Sequence, residues 1–183
     1  MTIEEGNFVW LREKTIEDAR DDYSWRCDPE LARFDAALPM RIPFAQFEAE
    51  YEYELRNGTP HRRRFAIDTL TGEHIGNCTY FNIDTRRKEA ELGIVIGNKN
   101  HWGKGYGREA VTLLLKHIFE SSDFERVYLY TLDWNLRAQA SFKHCGFREV
   151  RRSVDGAYHF VIMEILREEF EHKFHQEERV SST

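Results

Sequence analysis

The chain of 183 residues has three cysteines, four prolines, no uncharged apolar run long enough to span a bilayer, and no excess of basic charge. Each shortage excludes something. Cys27, Cys78 and Cys145 are odd in number and widely spaced, so they suggest neither a disulfide framework nor the close pairs of a metal or redox centre, and a reducing compartment is expected. His172 and His175 read as one exposed helix turn, and no metal site is expected. Lys and Arg number 26 against 32 Asp and Glu, a formal net charge of −6. That balance argues against an electrostatic grip on a nucleic-acid backbone and suits a cationic partner better. Met1-Thr2-Ile3-Glu4-Glu5 lacks the basic segment and apolar core of an export signal, so the matches to the glycosylation pattern at Asn57 and Asn77 read as chance. The expectation is a cytoplasmic protein with neither nucleic-acid nor membrane partner.

A hydrophobic content of 41% with 14% aromatic residues is enough to bury one continuous core. One domain is expected over residues 1–170, followed by a charged, disordered tail over 171–183. Asn7 to Arg12 alternates as a strand, and Thr15 with Asp18 opens a first helix. Asp28 to Pro43, holding three of the prolines, reads as a loop, after which Phe44, Phe47, Tyr51 and Leu55 recur at helical spacing up to Asn57-Gly58. Arg64–Asp68, Ile75–Ile83 and Ala90–Ile96 read as an antiparallel meander. From Tyr106 the period becomes helical, with Val111, Leu114, Leu115, Ile118 and Phe119 on one face. Val127–Leu132 is apolar on both faces, as in a buried crossover strand. Asn135–Cys145 is a short helix closed by Gly146. Two strands, Phe147–Val154 and Ala157–Leu166, flank the turn Asp155-Gly156.

The chemistry concentrates before the long helix. Gly103, Gly105 and Gly107 stand between an apolar strand and a helix start, where glycine permits positive φ and lets backbone N–H groups approach an anion. The helix start adds unpaired N–H groups and a favourable dipole, a combination suited to a pyrophosphate. A P-loop would need Lys followed by Ser or Thr at the last glycine, where Gly107 is followed by Arg108. A dinucleotide fingerprint would need a parallel unit, and the loop follows an antiparallel meander.

The segment Trp102-Gly103-Lys104-Gly105-Tyr106-Gly107 resembles the Gln/Arg-x-x-Gly-x-Gly/Ala signature of the GNAT N-acyltransferase superfamily, with Trp102 in place of the Gln or Arg. Asn135, Ala138, Gly146 and Phe147 are similar to its second motif, so the likeness runs over nearly the whole chain. It looks most like the branch of ribosomal-protein N-terminal and spermidine or aminoglycoside acetyltransferases. The resemblance implies an α/β (α+β) fold with a mixed, mostly antiparallel sheet of about seven strands, about four helices, and strands four and five splayed. It further implies acetyl-CoA as cosubstrate, a small-molecule or peptide amine as acceptor, direct attack in a ternary complex, and room for a homodimer.

On that resemblance the coenzyme would lie against Trp102, Gly103, Lys104, Gly105, Tyr106, Gly107 and Arg108, with Ile94, Val95 and Ile96 bordering the thioester and the Ile96 or Ile94 N–H facing its oxygen. Lys104 and Arg108 read equally as solvated charges. Asn135, Ala138 and Phe142 would border the pantetheine arm, and Asn135 can equally cap its helix. Glu91, eleven residues before Trp102, takes the place of the general base. Glu89 competes with it, and a strand-end Glu91 paired with Arg86 or Arg87 is the plain alternative. Phe142 stands where the family commonly has a Tyr that protonates the leaving thiolate, which leaves Tyr130, Ser141, Tyr158 or solvent for that step. The missing Tyr motivates a second reading, a non-catalytic acyl-CoA-binding or sensing module. Asp18, Asp21, Asp22, Glu48, Glu50, Glu52 and Glu54 would draw a cationic acceptor to the N-terminal helices, with Trp25, Phe34, Phe44 and Phe47 as cleft walls.

Overall fold

The computed structural model describes residues 1–173. Among these, the strands are β1 (Thr2–Glu5), β2 (Val9–Glu13), β3 (Arg62–Thr69), β4 (His74–Asp84), β5 (Glu89–Ile96), β6 (Arg126–Leu132), β7 (Arg148–Asp155) and β8 (Tyr158–Leu166). The helices are α1 (Ala19–Cys27), α2 (Pro29–Phe34), α3 (Phe44–Asn57), α4 (Tyr106–Ser121) and α5 (Leu136–Cys145), with 3-10 turns at Ile16–Asp18 and Lys99–His101. All strands form one sheet in the order β1-β2-β3-β4-β5-β6-β8-β7. Every neighbouring pair is antiparallel except β5 with β6.

The mixed, mostly antiparallel sheet is as expected, with two elements added. β1 is a short polar edge strand whose one apolar residue, Ile3, gives no alternation to read. α2 lies inside the stretch expected to be loop. Pro29 occupies its first turn, where the missing N–H costs nothing, and Asp28 Oδ1 accepts from the N–H groups of Glu30 (2.8 Å) and Leu31 (3.1 Å). Because β1 shifts the count by one, the pair expected to splay as strands four and five is β5 and β6.

Alternation along β5 sends Ala90, Leu92, Ile94 and Ile96 to one face of the sheet and Glu89, Glu91, Gly93 and Val95 to the other. The first face carries the main core, where α4 buries Val111, Leu114, Leu115 and Ile118 against Leu11, Ile67, Leu92 and Leu129. On the second face lie α1 and α3, joined through Ala19, Phe47 and Tyr51 with Tyr23 and Phe44 beside them. Residues 167–173 are helical. Arg167 ties their start to the end of α4 by donating to the carbonyls of Phe119 (2.7 Å), Ser122 (2.8 Å) and Phe124 (2.8 Å). Residues 174–183 of the expected tail lie outside the described residues.

One contact sets the position of α4 beneath the sheet edge. The Glu109 carboxylate accepts from three successive backbone N–H groups, Asn7 (2.7 Å), Phe8 (2.7 Å) and Val9 (2.9 Å), holding the β1–β2 turn onto the first turn of the helix. A carboxylate there also complements the helix dipole. Replacing it leaves those donors to solvent, so Glu109→Ala is expected to lose about 2 kcal/mol of stability in urea unfolding. A loss below about 0.5 kcal/mol, the range of an ordinary surface substitution, would show that the turn is held by other contacts.

Candidate active site

β5 and β6 are paired over Glu89–Arg126, Ala90–Val127 and Glu91–Tyr128, and no further. β5 continues to Ile96 paired only with β4, while β6 turns away with β8. The parting opens one edge of β5 from Leu92 onward. Because the two strands are parallel, their carboxyl ends lie at the same side, and each leads to a helix start, β5 to α4 and β6 to α5.

The loop between β5 and α4 is shaped for an anion. Gly103 has φ +74° and Gly105, the N-cap of α4, φ +89°, conformations that side-chain-bearing residues rarely adopt. A Cβ built on Gly103 would meet nothing within 4 Å, so the space over the loop is open. Gly107 differs from expectation: it is helical, without positive φ, and a Cβ placed there would stand 3.4 Å from Ile96 Cγ1, an ordinary contact. Trp102 takes up a structural role, its indole N–H donating to the Ile96 carbonyl at 2.7 Å. The loop is thereby drawn back over the end of β5. In an extended strand a residue's N–H and C=O leave by the same edge, so the Ile96 N–H shares that cleft-side edge.

Glu91 lies at the last paired position before the strands part, opposite Tyr128. It is half-buried and accepts a hydrogen bond from Asn82 Nδ2 at 2.8 Å. Burial pushes its carboxyl above the ordinary carboxylate range, and the Asn82 bond only partly opposes this. The Tyr128 phenol is raised by burial and then by the nearby negative charges of Glu91 and Glu89. Arg87 pairs with Asp84 and Glu89, each at 3.9 Å, leaving Glu91 without a cationic partner among the described residues. The competitor Glu89 is held by Arg126 at 2.7 Å.

The second motif is mainly architectural. Asn135 Oδ1 accepts from the Ala138 N–H at 3.2 Å and caps α5. Phe142 is buried in the main core, edge-on to Phe147 with centroids 5.9 Å apart. Lys104 and Arg108 are exposed beside the glycine loop. A cation in the first turn of a helix is disfavoured by the dipole unless an anion sits there.

Asp18 and Asp22, two of the N-terminal acids expected to draw a cation, are instead paired inside the fold. Asp18 pairs with Arg12 at 2.7 Å and Asp22 with Lys14 at 3.0 Å, all within a buried network that also takes in Asp68, His74 and Asn77. Their charge is neutralised internally and holds α1 to β2, β3 and β4. Phe44 and Phe47 pack on Tyr23 inside the second core rather than walling a cleft. Trp25 does line a hollow, together with Asp21, Glu73, His74 and Asn98 at the end of β5. Its indole lies so close to Gly97 that a Cβ there would stand 2.0 Å from Cδ2. Phe34 bridges the mouth of the parting, 5.7 Å from Trp102 on one lip and 5.4 Å from Trp134 on the other.

Two neighbours of the site went unread in the sequence. Asn82 reaches Glu91 only because the β4–β5 register slips between Phe81 and Asp84 and Asn82 takes φ +50°, which leaves no sequence signal. Arg137, whose guanidinium stands 4.2 Å from the Trp102 ring centroid, had one available signal, a basic residue in the first turn of a helix.

Comparison with known proteins bears on the family and the fold. The profile of the acetyltransferase (GNAT) domain matches residues 9–148. An uncharacterized N-acetyltransferase of Bacillus licheniformis is 31% identical over 118 residues, 64% of this chain and 66% of that protein, so the chain spans just under two thirds of that relative. A spermidine N-acetyltransferase from Vibrio cholerae, solved with CoA and spermine, superposes with a TM-score of 0.78 at 22% identity, covering 88% of this chain and 97% of that one. A GNAT acetyltransferase from Bacillus anthracis superposes with a TM-score of 0.76 at 14% identity, covering 92% and 99%. At these identities the two structures bear on the fold alone.

The buried acids predict a pH dependence of stability. Burial alone would raise the Asp18 carboxyl, but its bonds with Arg12 and the charge of Lys14 outweigh this and bring it down to about 2. A depressed folded-state value stabilises above the unfolded value near ~3.9 and loses that contribution as pH falls toward about 2, about 2 kcal/mol in all. Asp18→Asn should therefore be less stable than the parent at neutral pH, with the two urea midpoints converging as the pH approaches about 2. A gap that stays constant with pH would mean that the Asp18 charge contributes nothing to the fold.

Proposed function

The chain belongs to the GNAT acetyltransferase family, and we propose that it is an N-acetyltransferase that moves the acetyl group of acetyl-CoA to a primary amine, by direct attack within a ternary complex. The observation that carries this reading is the parting of β5 from β6 directly beside a glycine loop at a helix start. The loop N–H groups and the α4 dipole meet the pyrophosphate, and the open edge of β5 receives the thioester. Small amines are the favoured acceptor class, with protein N-termini next. Asp21 and Glu73, which line the hollow at the end of β5, offer the acidic groups near the site.

An alkyl ammonium, with a pKa near ~10.4, must lose a proton before its nitrogen can attack. Glu91 takes that proton, directly or through water, and its half-buried position with Asn82 as its hydrogen-bond donor suits a base better than Glu89, which Arg126 holds. The neutral nitrogen attacks the thioester carbon and negative charge develops on its oxygen, facing the N–H of Ile96. The C–S bond then breaks, the thiol leaves as thiolate, and the remaining extra proton on the acylated nitrogen passes to solvent. Phe142 cannot protonate it; thiols are acidic enough near neutral pH to depart without an acid. The buried ring of Phe142 also favours a second reading, a non-catalytic acyl-CoA-binding or sensing module. Turnover separates the two readings where binding does not.

Release of thiol from acetyl-CoA in the presence of spermidine, aminoglycosides or N-terminal peptides tests both. Turnover is expected with one acceptor class, and Glu91→Gln should reduce kcat by about 100-fold. A base must be ionised to act, so the raised Glu91 carboxyl puts the acidic limb of kcat/KM above the usual carboxylate range, and the variant should lack that limb. Unchanged kcat and an unchanged limb in Glu91→Gln would remove Glu91 from the mechanism. Tight CoA binding with no turnover across the panel would favour the sensor.

A further inference from the structure

We propose that Arg137 binds the pyrophosphate of the acyl-CoA cosubstrate, supplying from α5 a cation that meets the diphosphate held on the α4 loop. This rests on the reading above that CoA occupies the parting of β5 and β6. Three observations converge on it. The first is position: the Arg137 guanidinium lies 4.2 Å from the Trp102 ring centroid and 5.4 Å from that of Phe34, so it stands over the residue that opens the glycine loop, on the opposite lip of the cleft from α4.

The second is charge. The protein carries more acid than base, and its cations are paired wherever the fold needs them, as with Arg12, Lys14, Lys99 and Arg126. Arg137 is exposed and has no carboxylate partner among the described residues, and the same holds for Lys104 and Arg108 across the cleft. Three unpaired cations thus gather around two helix starts, α4 and α5, each already positive at that end. An arrangement that costs free energy when empty is stabilised when a dianion occupies it.

The third is pre-organisation. Trp102 is fixed by its bond to the Ile96 carbonyl at 2.7 Å and by the edge of Phe34 at 5.7 Å. The Arg137 guanidinium lies over that fixed indole, 4.2 Å from the ring centroid, and no carboxylate among the described residues engages its N–H donors. That geometry suits two-point contact with phosphate oxygens, and a lysine reproduces only its charge. The open space over Gly103 leaves the diphosphate within reach of both the loop N–H groups and this fork.

Calorimetric binding of CoA and of its form lacking the 3′-phosphate, each titrated into wild type, Arg137→Gln and Arg137→Lys at several salt concentrations, tests the assignment. Arg137→Gln is expected to weaken both ligands by about tenfold, the worth of a charge-assisted contact. The dependence of log Kd on log salt should become shallower by the loss of one phosphate contact, and Arg137→Lys should recover part of the affinity. Equal binding by wild type and Arg137→Gln would overturn the role of Arg137 alone. So would a weakening with unchanged salt dependence, which marks a packing role against Trp102. A weakening confined to CoA and absent without the 3′-phosphate would overturn the pyrophosphate assignment. No CoA binding by the wild type would overturn the functional reading itself, and this proposal with it.

Discussion

The loss of hydrogen bonding between β5 and β6 after Glu91 is the constraint on which the rest of the site depends. Up to that residue the strands are neighbours in one continuous sheet; beyond it β5 keeps only β4 and β6 keeps only β8. An open strand edge in the middle of a sheet leaves backbone donors and acceptors without partners, a cost that a ligand or a side chain must offset. Trp102 meets part of it by donating to Ile96. What remains open is an edge of donors beside a helix start, and that is the chemistry an acyl thioester with a diphosphate tail requires. The parallel relation of the two strands matters equally, because it places both following helix starts at the same mouth.

Electrostatics divides the molecule along the same line. On the side of α1, acids and bases are buried together: burial pushes the Lys14 ammonium below its ordinary value, while Asp22 and Asp18 act to keep it charged. Such a network fixes the helix against the sheet and leaves little charge for a ligand, since breaking one partner would strand another in the interior. At the cleft mouth Lys104, Arg108 and Arg137 are exposed and have no carboxylate partner among the described residues, and Glu91 at the apex lies between the Asn82 amide and the Tyr128 phenol. Charge that holds the fold is thus separated from charge left open to chemistry.

Much of this was legible in the chain, and the parts that were not share a cause. The amphipathic period of α4 and the glycines before it could be read directly, because helix burial and positive φ leave local marks, as at Gly103 and Gly105. α2 was hidden because Pro29 reads as a breaker, though at a first helical position it is a starter, and β1 because Ile3 alone carries its pattern. Arg12 and Asp18 are six residues apart across a strand-to-helix turn, so their pairing follows no helical spacing. Asn82 beside Glu91 depends on a register slip, and Arg137 over Trp102 on stacking between elements far apart in sequence. Local rules read elements; contacts across the cleft need the fold.

The central claim is that the parting of β5 and β6 with its glycine loop is the seat of the coenzyme. Amide chemical-shift changes on titrating CoA into the isotopically labelled chain test it most directly. The account predicts that the largest changes fall on Gly103, Gly105 and Gly107 in the loop and on Ile94 to Ile96 along the open edge, with the first turn of α5 following. Changes confined to the hollow lined by Asp21, Trp25 and Glu73, or spread without a centre, would contradict it.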